Sequence, residues 1–228
     1  SGLPEPARRF FEFAISEGTP LYTVAKINMN GKFSLGTKGA PDYFDMKAKQ
    51  VLAAPEGFVW AMSGGSGLMH ISGSDSARWT RFWFLGVLPV ARFGGTLEHK
   101  RAAFGRYVAE AVFWTPAALL PRDGVEWQGV DDTTARVLVR HDGLEQSVDI
   151  SVDEKGRPMR VSFPRWSDAN PEKTYRTQTF GGYLSNFRDF EGFQLPTHVE
   201  AGNQFGTDEC FPFYIVDLTE LSFPKAKP

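Results

Sequence analysis

The stretch GTLEHKRAAFGRYVAEAVFWTPAALLP, Gly95–Pro121, decides how this chain is read. It is the one long helical pattern in a sequence that otherwise reads as strands and turns. Gly94-Gly95 break the chain before it, Thr96 suits an N-cap, and Glu98 suits the positive end of the helix dipole. Leu97, Phe104, Tyr107, Val108, Ala111 and Val112 recur at helical spacing. Pro116 ends the helix, and Pro121 ends the PAALL turn after it. The same stretch carries a dense polar set, Arg106, Tyr107, Glu110 and Trp114. Arg106 and Glu110 stand at i,i+4 and can pair. Facing solvent, such a pair adds roughly a few tenths of a kcal/mol. Facing the concave side of a curved sheet, it becomes a desolvated polar pair in an aromatic cavity and marks a ligand site. The helical wheel leaves both directions open.

Working outward, strands are expected on both sides. Towards the N-terminus, Leu3–Glu17 predicts a short helix with Pro4, Glu5 and Pro6 in its first turn and Gly18 as its stop. Phe10, Phe13 and Ala14 make its apolar face, with Phe11 partly on it, so it should pack on a sheet as a lid or plug. Leu21–Met29 alternates in polarity, Asn30-Gly31 predicts a hairpin, and Lys32–Thr37 is the expected returning strand. Tyr43–Ala53, then Phe58, Trp60 and Met62, then Leu68–Ser74 and Ala77–Leu85 continue an antiparallel meander.

Beyond the long helix the alternation resumes in Gly124–Val130 and Thr134–Arg140, and Asp142-Gly143 predicts a second hairpin turn into Leu144–Val152. Met159, Val161 and Phe163 alternate with Arg160 and Ser162, and Ser167–Lys173 reads as a polar loop. Tyr175–Phe190, interrupted by Gly181-Gly182, makes one strand or two, and Leu195–Ala201 and Phe213–Phe223 close the chain. The expected architecture is mainly β (α+β). It is a curved antiparallel sheet or open half-barrel of about ten or eleven strands, with one central lid helix and a short N-terminal helix. Residues 1–228 read as a single domain with no repeat, linker or low-complexity tract.

Composition narrows the function classes. With 25 basic and 27 acidic residues and no basic stripe, nucleic acid is not an expected partner. Cys210 is the only cysteine and reads as a small buried hydrophobe in DECFPF. His70, His99, His141 and His198 form no metal-binding pair, and His141 and His198 fall at strand ends or on polar faces, as solvated histidines do. Gly64-Gly65-Ser66-Gly67 is followed by a strand pattern, whereas a phosphate cradle needs a helix N-terminus there. Ser66 sits in no nucleophile elbow, and the carboxylate pairs Asp131-Asp132 and Asp153-Glu154 carry turn chemistry. No metal, cofactor or catalytic set is expected. No segment reaches the ~18 apolar residues of a membrane span, since the longest run, Phe82–Ala91, contains Gly86 and Pro89. Ser1-Gly2 reads as a cloning remnant, which leaves room for a removed N-terminal anchor or signal.

The chain holds 20 Phe and 6 Trp, and aromatics fill cores and ligand cavities alike. Phe44, Trp60, Phe82, Phe84, Trp114 and Trp127 are the inward-facing candidates to line a cavity, with Arg106, Tyr107 and Glu110 as its polar groups.

The run R-Y-x-A-E-x-x-x-W-x-P-x-A-L-L, here Arg106, Tyr107, Ala109, Glu110, Trp114, Pro116, Ala118, Leu119 and Leu120, resembles the central signature of a bacterial family of unknown function. Val125 and Trp127, the opening LPEPARRFFEFAI and the turn DEKGRPMRV are similar to that family as well. The C-terminal half resembles the lipoprotein-localisation carriers of the bacterial envelope, LolA/LolB-like, in rhythm. Asp153–Val161 matches a D-x-x-G-x-P-x-x-V hairpin, Phe187–Val199 an F-x-x-F-x-x-F-x-L-P-x-H-V run, and Leu218–Phe223 a last strand. That resemblance implies an open antiparallel half-barrel with helices over its concave face and an apolar cavity for acyl chains, the long helix being the lid.

The function expected is therefore non-enzymatic binding of an apolar or amphipathic, lipid-like ligand between sheet and lid, in the periplasm or cell envelope. Arg106 would meet a phosphate or carboxylate head group. One alternative is a hydrolase or isomerase working on a lipidic substrate in the same cavity, with Glu110 or a histidine as acid or base. Another is a structural or interaction module with a packed core. The alternative compartment is the cytosol.

Overall fold

The structure, a computed structural model, describes residues 2–170 and 172–225. Ser1 of the expected remnant and Pro171 of the expected polar loop lie outside the described residues. Strands β1 (Ala25–Ser34), β2 (Tyr43–Ala53), β3 (Gly57–Gly64), β4 (Ile71–Ser76), β5 (Trp79–Phe84) and β6 (Leu88–Gly94) form the first half of one antiparallel sheet. The second half comprises β7 (Val125–Gly129), β8 (Thr134–His141), β9 (Leu144–Val152), β10 (Pro158–Ser167), β11 (Arg176–Phe190), β12 (Phe193–Asn203) and β13 (Phe211–Ser222). Two helices, α1 (Glu5–Ala14) and α2 (Leu97–Trp114), complete the chain's long elements, with a 3-10 turn at Pro116–Leu119.

The sheet runs β6-β5-β4-β3-β2-β1-β13-β12-β11-β10-β9-β8-β7, so each half is a meander and the β1–β13 pair joins them. The two ends of that order, β6 and β7, are consecutive in the chain, and α2 is the helix that connects them. Among the described residues the sheet has 13 strands, more than the ten or eleven expected. No strand was expected over Leu88–Gly94, which forms β6. As the edge strand, β6 tolerates a proline that cannot donate to a ladder.

Alternation puts one face of each strand inside. Ala25, Ile27 and Met29 of β1, Met46, Ala48 and Leu52 of β2, Val137 and Val139 of β8, and Val148 and Ile150 of β9 are all buried. Lys47 and Lys49 point outward between them. Both helices lie on the inner face: α1 against β7, β8, β9 and β12, and α2 against β9 and β10 on one side and β2 and β3 on the other. Phe11 of α1 is buried, whereas Phe13 is only partly covered and meets Phe187 edge-on at 5.4 Å, so the buried face is turned towards Phe11 rather than Phe13.

The helix α2 starts where Thr96 accepts the His99 N–H at 3.1 Å, a conventional N-cap. From Ala103 to Trp114 every residue is buried except Arg106 and Glu110. A helix apolar all round belongs inside a core, not on a surface, and this explains why its wheel showed no outward side. Gly105 permits its close seat. A Cβ there would stand 2.6 Å from Gln146 Oε1 and 3.3 Å from Phe163.

Asp142-Gly143 turns β8 into β9 with φ of 49° and 74°, the left-handed pair a two-residue hairpin needs. The equally strong Asn30-Gly31 signal does not turn. Neither residue has positive φ, and β1 runs straight through them, so no returning strand forms over Lys32–Thr37. Gly31 serves a different purpose. A Cβ on it would strike the Ile215 carbonyl and lie 2.8 Å from Val216 Cα, so glycine is what lets β13 pair with β1. The chain instead reverses after Ser34, whose Oγ accepts the N–H groups of Gly36 and Asp42. Cys210 is half-buried in the turn before β13, not a core residue as expected.

Gly31→Val should destabilise the fold by about 1–3 kcal/mol, as overpacking against backbone does, measured as a lower urea midpoint. A midpoint equal to wild type would show that β1 and β13 do not approach this closely. His198 on β12 sits 2.7 Å from Asp217 and 3.1 Å from Glu200. Burial pulls its imidazole down, but the hydrogen bonds and charges of Glu200 and Asp217 outweigh that and raise it above its ordinary value. Such a group stabilises the folded state below the unfolded value of about 6.5 and loses that contribution as pH rises through the raised one. The stability difference between wild type and His198→Gln should thus be largest in mild acid, below about 1 kcal/mol for so solvated a pair, and vanish in alkali. A difference that grows with pH would contradict this pairing.

Candidate ligand-binding cavity

Between α2 and the inner face of the sheet lies a cavity of about 360 Å³. One wall comes from β1–β5, with Phe33, Phe44, Trp60, Met62, Ile71 and Phe82. The opposite wall comes from β10–β13, with Val161, Phe163, Phe180, Val199 and Phe213 among its residues. Ala109, Phe113 and Trp114 of α2 form the roof. Leu35 and Val90 line the cavity and are also exposed, so it opens between the β1–β2 loop and β6.

The wall is an aromatic belt. Phe44 meets Phe33 at 5.9 Å, Phe33 meets Phe213 at 5.5 Å, Phe213 meets Phe180 at 5.9 Å, and Phe180 meets Phe163 at 5.5 Å. These centroid distances and tilted or edge-on angles are those that aromatic pairs favour. The belt crosses the junction of the two meanders, because β1 and β13 are neighbours in the sheet.

Four charged groups face this apolar space: Asp75, Arg106, Glu110 and Arg165. Arg106 points inward, between Phe58 and Trp60, with its guanidinium carbon 4.8 and 4.9 Å from their ring centroids. Its Nε donates to Glu110 Oε1 at 2.9 Å and its Nη1 to Asp75 Oδ2 at 2.7 Å. Glu110 also accepts from the Gln50 amide, and Asp75 accepts from the Thr80 hydroxyl at 2.6 Å. Burial alone would lower the Arg106 pKa, but the charges of Glu110 and Asp75 more than reverse it and hold the group above its ordinary value. The network is stitched across four elements, β2, β4, β5 and α2, so it clamps the helix to the first meander. His99 is buried beside it, with Nε2 3.2 Å from the Thr80 hydroxyl. The Tyr214 hydroxyl, on the β10–β13 wall, is pushed above its ordinary pKa by burial and by the Glu110 charge.

Six of the nine residues singled out from sequence line this cavity: Phe44, Trp60, Phe82, Arg106, Glu110 and Trp114. The other three do not. Tyr107 is buried against Phe58 and Phe104. Trp127 packs on Phe10 and Phe11 of α1 and donates to the Leu119 carbonyl at 2.8 Å, so it docks the N-terminal helix. Phe84 packs at the margin of the core near the β5–β6 turn. Sequence reading missed Arg165. The signal was its parity: Val161, Phe163 and Arg165 occupy alternate positions of β10, so a side chain at 165 shares the inner face. Met159 belongs to that parity but is exposed, because a register shift between Pro158 and Arg160 turns the strand.

Among the described residues no cluster of three or more metal-ligating side chains occurs, and no helix is long and apolar enough to cross a membrane. No curated protein matches the sequence. Solved structures of similar shape include a putative outer membrane lipoprotein-sorting protein domain from Vibrio parahaemolyticus, with 9% identity, 98% and 93% of the two chains covered and a TM-score of 0.43. A LolA superfamily protein from Nitrosomonas europaea is 10% identical over 100% of this chain and 96% of its own, at a TM-score of 0.46. A DUF1329 family protein from Desulfovibrio piger is 9% identical over 98% and 92%, also at 0.46. A family model described as a family of unknown function matches residues 1–214, and the chain belongs to that family, DUF6544.

Proposed function

We propose that the protein binds a lipid-like, apolar or amphipathic ligand in the cavity under α2, without chemical turnover. The observation that carries this reading is the cavity itself: about 360 Å³ of space faced by a continuous aromatic belt and open at Leu35 and Val90. Ligand sites are concave, mainly apolar and furnished with a few polar groups. Each methylene transferred into such a space contributes about 0.8 kcal/mol, so one acyl chain suffices for useful affinity. Phe44, Trp60, Phe82 and Trp114 are the proposed contacts for the apolar part. Tyr107, Phe84 and Trp127 lie outside the cavity lining and are not proposed as contacts. A fully packed module would leave no such space, which counts against that alternative. The bacterial envelope is the compartment that the resemblance to the lipoprotein carriers implies, and a leader segment in the full-length gene would support it.

Arg106 and Glu110 are proposed to hold the roof rather than the ligand, since each is already engaged by the protein. Glu110 also faces the cavity, which makes it the acid or base of the enzymatic alternative. Hydrolysis of a lipid ester that Glu110→Gln abolishes would favour that alternative.

Two outcomes are expected. Organic extracts of the native protein should yield a co-purifying lipid by mass spectrometry, and Ala201→Phe, which fills the cavity from β12, should lose it while remaining folded. An empty extract from both would count against lipid binding. Arg106→Ala should cost about 2–3 kcal/mol in denaturant, because it strands two partly buried carboxylates. A loss under about 0.5 kcal/mol would mean that the pair is solvated and the roof is held by packing alone.

A further inference from the structure

Of the four charged groups facing the cavity, Arg165 is the one the protein leaves unengaged. Its guanidinium makes no hydrogen bond and no ion pair with the described residues, and its Nε is fully buried without an acceptor. Phe180 covers it, 4.8 Å from ring centroid to guanidinium carbon, but a ring face satisfies none of its N–H donors. The carboxylates in the same cavity are committed elsewhere: Asp75 to Arg106, Thr80 and the Ser76 N–H, and Glu110 to Arg106 and Gln50. Burial and the repulsion of Arg106 push the Arg165 pKa down to about 10. Proteins pair or hydrogen-bond the charges they bury, and an isolated one is costly. This arginine is held there by strand parity, beside Phe163 on the inner face of β10.

We propose that the ligand carries a single anionic head group, carboxylate or phosphate, whose oxygens bind the Arg165 guanidinium while its tail lies along the aromatic belt. The proposal rests on the lipid-binding reading of the same cavity and adds the chemical class of the ligand. A guanidinium offers a planar fork of donors that matches two oxygens of a carboxylate or phosphate. The belt from Phe163 and Phe180 to Phe213, Phe33 and Phe44 leads away from this head-group position across the junction of the meanders. The volume favours one chain over two, because about 360 Å³ is near the small end of ligand pockets, which run from roughly 300 to 1,000 Å³.

The test is calorimetric titration of the full chain, freed of bound lipid, with decanoate, decyl phosphate and decanol, which share one tail and differ in the head. Wild type should bind at least one anion about tenfold or more tighter than decanol, and the preferred anion identifies the head group. Arg165→Gln should bind decanol like wild type and lose the anion advantage. Arg165→Met, apolar and of similar reach, repeats the test should the glutamine variant not fold. Both should melt no earlier than wild type, because each removes a cation whose Nε is buried without an acceptor. Equal binding of all three probes by wild type, or an anion advantage that survives in either variant, would overturn the head-group assignment and leave the lipid-binding reading standing. Unfolding of both variants would also overturn it, since the guanidinium would then be holding the fold. Failure of wild type to bind any probe would sink the lipid-binding reading and this inference with it.

Discussion

A sheet of 13 antiparallel strands cannot stay flat, and its inner face is too apolar to be left to water. Covering that face is the constraint on which the rest of the structure depends. The element that covers its middle is α2, with α1 over part of the second half, and the sequence position of α2 makes it so. It joins β6 to β7, the two edges of the sheet, and so must pass over the open trough. Once inside, it is enclosed on all sides from Ala103 onward, and only Arg106 and Glu110 keep partial access. Apolar packing seats it on β9 and β10, with Gly105 removing the side chain that would keep it away. On the other flank, Arg106 reaches Asp75 and Glu110 and ties the helix to the first meander. The roof is thus packed on one side and hydrogen-bonded on the other, and the cavity is the space the two attachments leave between them.

The charges in that space divide by what they touch. Arg106 and its two carboxylates satisfy one another, as buried polar networks must if they are to be stable. Arg165 lies on the far wall against the Phe180 ring, with no hydrogen bond or ion pair to the described residues. Two arginines facing one cavity therefore have different physical roles, one structural and one available. The difference comes from carboxylates contributed by β4 and α2 to the first, whereas the second has a ring from β11 and no hydrogen-bond acceptor among the described residues.

Parts of the fold were legible because they are local. Alternation in Tyr43–Ala53, Thr134–Arg140 and Leu144–Val152 needs only period-two burial, and the strands formed there. Asp142-Gly143 turned because nothing competed with its left-handed preference. Asn30-Gly31 has the same local preference, but the glycine was needed where β13 crosses closest, and the pairing of β1 with two neighbours overrode the turn. The edge strand β6 carries Pro89, which lacks an N–H and is tolerated there because β6 has a neighbour on one side alone. Among the aromatics, Trp60 and Trp127 both sit on strands with inward parity, yet only Trp60 faces the cavity, because α1 covers the other.

By itself, the sequence determined the class of the fold, the two helices, most strands and the aromatic wealth of the interior, all of which follow from periodicity and turn chemistry within a short window. The tertiary structure alone decided the direction of Arg106 and Glu110, the loneliness of Arg165 and the presence of a cavity. Each of these depends on which distant strands stand opposite one another across the trough. The partners of Arg106 lie 31 residues away on β4 as well as one turn along the helix, and no pattern along the chain encodes that meeting. Burial of a charge is a property of everything around it, and here the surroundings are assembled from both halves of the sheet.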